Sequence, residues 1–225
     1  MPPPFMPAGF LLEAAYTLII LLLCFLVFFK TREIYLLTKY KGIQFFRFAF
    51  LFFGLAYASR LLLYIMLVGD LFIVEHVRGP GFVLPISNLV VAYFSTMAIL
   101  YLTYGPIHKK ISVEQFLTWA NIISLIVAIV AFISISPLLL SLIQSVLLGI
   151  MLVINTRVKG KKQSRDEKRT NTRTIYFLLA LFWLISLFDI RSPRQFIPFE
   201  VSIALHVASL GIFFFIYYKV AKWVK

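Results

Sequence analysis

The amino-acid sequence predicts an all-α fold, a polytopic membrane protein built as a bundle of seven transmembrane helices. Three observations carry that reading. Hydrophobic residues make up 61% of the 225 and charged residues only 14%, against roughly 45–50% and 25% in soluble domains. Apolar runs long enough to cross a bilayer recur along the whole chain. Basic residues gather in alternate connections, which orients the bundle. Mean hydropathy is +0.94, and Gly 10, Pro 10 and Cys 1 exclude disordered, collagen-like and disulfide-framed classes.

The expected spans cover residues 9–29, 43–68, 86–104, 116–135, 138–155, 175–190 and 201–218, all within one domain of residues 1–225. The first run, Gly9 to Phe29, is closed by Lys30-Thr31-Arg32. The second contains Arg47 and Arg60, and the third ends at the helix-stopping pair Gly105-Pro106. Ser136-Pro137 sets a tight hairpin between the fourth and fifth, Pro being suited to the first helical position. A six-span count with that hairpin re-entrant is the alternative. Membrane β-strands would instead appear as short alternating segments. The opening Met-Pro-Pro-Pro lacks the basic start of a signal peptide, so the first helix is expected to stay uncleaved.

Seventeen basic residues fall on one side, in the connections around 30–41, 109–110, 157–173 and 219–225. Arg78, Arg191 and Arg194 alone fall on the other. The N-terminus is therefore expected outside and the C-terminus in the cytoplasm, in a multi-pass protein of the cell membrane. The basic run Lys159–Arg173, with Lys161, Lys162 and Arg165 at its centre, is assigned to anionic lipid headgroups or a protein partner. It carries no aromatic residue to stack on bases, so nucleic acid is not an expected partner.

Ionisable side chains at bilayer depth are costly and normally face the bundle interior. Glu13, Arg60, Asn88, Gln144, Asp189 and His206 all fall in the outer half of their spans. Tyr57, Arg60 and Tyr64 share one helix face by i, i+3, i+4 spacing, as do Glu13, Tyr16 and Thr17. The expected site is an outward-facing polar chamber, its ligand contacts being Glu13, Tyr57, Arg60, Tyr64, Asn88, Gln144, Asp189 and His206. The blander reading has the same groups bonded between helices as packing glue. Arg60 would then pair with Glu13 or Asp189. Asn121 would bond between helices too, and Trp183 would belong to a packing face or interfacial belt.

Gly54 and Ala58 form a small-xxx-small pair suited to a close helix crossing, within a protomer or in an oligomer. Lone Cys24 reads as an inert filler. His76, His108 and His206 are far apart, with no metal-binding spacing, catalytic motif or phosphate loop. No metal, cofactor or enzymatic activity is expected.

Laying the first three spans beside the last three matches Phe48-to-Arg60 with Phe177-to-Asp189, and Pro85 with Pro198. This 3+1+3 plan is similar in topology to the SWEET-type sugar transporters, which implies small-solute transport. Those transporters carry hinge prolines inside their helices, whereas every Pro here lies at a helix end or in a loop. Seven spans, an outward chamber and a basic inner face resemble seven-helix membrane sensors in general. Ligand sensing through a cytoplasmic or membrane-bound partner is thus placed ahead of transport and of a structural role in a larger complex.

Overall fold

The computed structural model describes residues 8–73, 83–108, 111–134, 137–157, 174–185 and 199–222. Among them are seven helices: α1 (Ala8–Thr38), α2 (Lys41–Ile73), α3 (Val83–Ile107), α4 (Val113–Ser134), α5 (Pro137–Arg157), α6 (Thr174–Ile185) and α7 (Phe199–Lys222). Six are long and apolar enough to cross a membrane, and the described part of α6 is a shorter apolar helix. The fold is all-α in its described residues, as expected. Residues 186–190 of the expected sixth span, and Ser136 of the hairpin, lie outside them.

Several helices outrun their apolar stretches. α1 continues past Phe29 to Thr38, because Lys30 and Arg32 end the hydrophobic run without opposing helix geometry. Lys30 pairs with Glu33 at 2.8 Å one turn on, and Thr31 Oγ1 donates to the Val27 carbonyl at 2.7 Å. The helix stops where Lys39 turns left-handed (φ 49°) and its N–H reaches the Tyr35 carbonyl at 2.7 Å. α3 passes the expected stop and ends at Ile107, with Pro106 in its last turn. Pro106 cannot donate to the Leu102 carbonyl, and the helix closes one residue later. α4 begins at Val113 rather than 116, where Ser112 Oγ accepts the Gln115 N–H at 3.3 Å as a cap. α5 starts on Pro137 as expected.

In the bundle, α2 lies between α1 and α3, α3 also meets α4 and α5, α7 packs on α1, and α4 touches α5. Gly54 sets the α1–α2 crossing. A Cβ there would stand 3.3 Å from the Cys24 Cβ, so Gly54 packs against α1 of the same chain. α6 buries one face. Ile175, Tyr176, Leu179, Ala180, Phe182 and Trp183 are buried, while Phe177, Leu181 and Leu184 on the other face are exposed. Phe53 of α2 is the hub, its ring 5.6 Å from Phe182, 4.7 Å from Trp183 and 6.1 Å from Phe213 of α7. At the other end Tyr104 stacks on Phe116 at 3.9 Å and donates to the Ile111 carbonyl at 2.7 Å, closing the α3–α4 turn.

The outer surface is apolar. Leu22, Leu26 and Phe29 on α1, Ile122, Ile126 and Ile133 on α4, and Val207 and Phe214 on α7 are all exposed. Meanwhile Thr17, Ser95, Thr96, Ser124, Ser141, Gln144, His206 and Ser209 are buried. Hydrocarbon outside and polar side chains inside is the distribution a bilayer imposes.

Candidate functional site

Three helices bring polar side chains together near one end of the bundle. α1 and α2 run antiparallel, so residues early in α1 face residues late in α2. Glu13 on α1 accepts a hydrogen bond from Tyr64 Oη on α2 at 3.1 Å. One turn along α1, Tyr16 sits edge-to-face on His206 of α7, ring centroids 4.3 Å apart, and 6.5 Å from Tyr57 of α2. Arg60 holds its guanidinium carbon 5.8 Å from the Tyr57 ring centroid.

Local backbone bonds orient these groups. Thr17 Oγ1 donates to the Glu13 carbonyl at 2.7 Å. His206 Nδ1 lies 2.9 Å from the Ser202 carbonyl, one turn back on α7. A carbonyl oxygen only accepts, so Nδ1 carries the proton and Nε2 is the atom that differs between the neutral and charged ring. Tyr16, Tyr57 and His206 are buried, whereas Glu13, Arg60 and Tyr64 are half-buried. The arrangement offers a carboxylate, a guanidinium, an imidazole and phenols within two turns of helix.

Of the eight expected contacts, Glu13, Tyr57, Arg60, Tyr64 and His206 therefore share one region. Gln144 does not join them. Its Nε2 donates to Ser95 Oγ at 2.6 Å, and its Oε1 accepts from Trp183 Nε1 at 3.5 Å, which ties α5 to α3 and α6. Depth along a helix says nothing of azimuth, and α5 packs on α3 and α4 rather than α1. Asn88 is exposed on the first turns of α3, away from a bundle interior. Asp189, Lys161, Lys162 and Arg165 lie outside the described residues.

The polar group around Gln144 was not legible as a unit. Thr96 of α3 and Ser124 of α4 are fully buried near the middle of their helices, and neither hydroxyl has a hydrogen-bond partner among the described residues. Trp183, expected in a packing face or belt, is buried against Phe53 and Gln144. The only available signal was the Ser95-Thr96 pair in the middle of an apolar run. Asn121 does bond between helices, accepting from Tyr93 Oη at 2.6 Å. Among the described residues no three His, Cys, Asp or Glu side chains converge as metal ligands would.

The chain is similar from end to end to an uncharacterized protein of Archaeoglobus fulgidus. The two are 29% identical over 229 residues, covering 99% of each. No protein-family profile matches the chain. No solved structure matches it.

Proposed function

We propose that the protein is a sensor- or receptor-like membrane protein that binds a small polar or amphipathic ligand where α1, α2 and α7 meet. The observation that supports this most is the convergence of Glu13, Tyr16, Tyr57, Arg60, Tyr64 and His206 from three helices. Each polar group costs free energy at bilayer depth, and together they present both signs of charge. Arg60 would receive an anionic group, Glu13 a cationic one, and the aromatic rings an apolar body.

The basic asymmetry of the sequence supports an external N-terminus and a cytoplasmic C-terminus, with α6 completing a seventh span. The Glu13–Arg60 end is then external. A cytoplasmic partner would dock on the basic connection containing Lys161, Lys162 and Arg165. The reading is non-catalytic.

Thermal unfolding in detergent against a panel of small polar and amphipathic compounds tests the ligand site. A true ligand stabilises the wild type and loses most of that effect in Arg60→Ala and His206→Ala. If every stabilising compound acts equally on all three proteins, the site is wrong.

The Ser95–Gln144–Trp183 group favours a second reading, small-solute transport, because polar groups near mid-bilayer characterise transporter sites. Uptake by proteoliposomes decides between the two, since a sensor moves no solute.

A further inference from the structure

Near the basic end of the α1–α2 pair, Arg47 of α2 presses its guanidinium onto Phe28 of α1, 4.1 Å from the ring centroid. Its Nε is buried and has no hydrogen-bond partner among the described residues. Arg32 of α1 is exposed one turn beyond Phe28, on the same α1 stripe as Phe28 and Tyr35. Among the described residues, neither arginine has a carboxylate within 4.0 Å. Glu33, the nearest in sequence, is held by Lys30 at 2.8 Å.

Arg47 is therefore a half-buried charge with no counter-charge among the described residues, and the exposed Arg32 adds a second positive charge one turn from Phe28, an arrangement that an anion between them would neutralise. Depth points to what that anion is. α1 is apolar up to Phe29, so Arg32 stands just beyond the hydrocarbon. Arg47 lies six residues into α2, about 9 Å along its axis. Both can reach the phosphate level of a bilayer leaflet. Toward the hydrocarbon, Phe29 meets Phe28 at 5.4 Å and Phe25 at 6.5 Å, forming an aromatic wall along which an acyl chain can lie.

We propose that Arg32 and Arg47 together bind one phosphate group, that of an anionic phospholipid seated in the α1–α2 groove. The guanidinium of Arg47, already oriented by Phe28, donates to one pair of oxygens, and the exposed Arg32 closes over the other.

The test is native mass spectrometry and thermal unfolding of the purified full chain in neutral detergent. Phosphatidylglycerol, a neutral diacylglycerol and inorganic phosphate are titrated separately. The expected result is saturable binding and stabilisation by phosphatidylglycerol but not by diacylglycerol. Affinity should fall roughly fivefold in each of Arg32→Gln and Arg47→Gln. Arg32 is exposed, so its variant reports on binding even if Arg47→Gln folds poorly. Lys222→Gln, an exposed charge toward the same end of α7, should bind as the wild type does. Saturable stabilisation by inorganic phosphate alone, lost in the same two variants, would keep the phosphate site and make its ligand soluble. Unchanged phosphatidylglycerol affinity in Arg32→Gln, or an equal loss in Lys222→Gln, would overturn the proposal.

Discussion

At the scale of single residues, the Tyr64–Glu13 bond and the Gly54–Cys24 contact make separable claims about α1 and α2. A neutral interhelical hydrogen bond in a membrane is worth about 0.6 kcal/mol, and one to a carboxylate somewhat more. A double-mutant cycle of Tyr64→Phe and Glu13→Ala should therefore show a coupling of roughly 0.5–1.5 kcal/mol in unfolding free energy. A coupling indistinguishable from zero would mean that the two side chains do not meet. Gly54 acts through space instead of polarity. With its Cβ position 3.3 Å from Cys24, Gly54→Ala leaves a tight contact, while Gly54→Val drives a branched side chain into α1. The valine variant should lose about 1–3 kcal/mol, read as a lower midpoint in detergent unfolding. His206 shows how much was readable at this scale. Its place in the outer half of its span was plain in the sequence, but its aromatic partner Tyr16 lies 190 residues away.

Among the elements, α6 carries the most information. Its buried stripe through Ile175, Leu179 and Phe182 touches α2 and α7, and Trp183 reaches α5. Phe182→Ala should cost about 3–5 kcal/mol, as truncation of a fully enclosed ring does. Phe177→Ala, one turn away on the exposed face, should change stability by less than about 1 kcal/mol. Comparable losses at both positions, measured by thermal unfolding, would contradict a one-sided packing of α6. The elements also separate two kinds of boundary. Lys30 marks where the chain leaves hydrocarbon and Lys39 marks where helix α1 stops, because hydropathy and backbone conformation answer to different forces. The expected limits of α1, α3 and α4 erred for that reason. Pro137 was placed correctly because its fixed φ and missing N–H suit a helix start.

Across the whole molecule, the charge distribution makes a claim that packing does not. A reporter enzyme active only in the cytoplasm, fused after Lys225, should be active, whereas the same reporter fused before Met1 should be silent. Activity at both ends would require an even number of crossings. The membrane-compatible helices, their order and their approximate limits were determined by the amino-acid sequence alone, since hydrophobicity is a property of each residue in turn. Neighbour relations were decided only by tertiary structure: α6 against α2 and α7, α7 against α1, and Gln144 apart from Glu13 and His206. The physical reason is that helices surrounded by lipid are apolar on every side, so no stripe of hydrophobic residues distinguishes the face toward protein from the face toward acyl chains. Close packing and the pairing of a few polar groups make that choice.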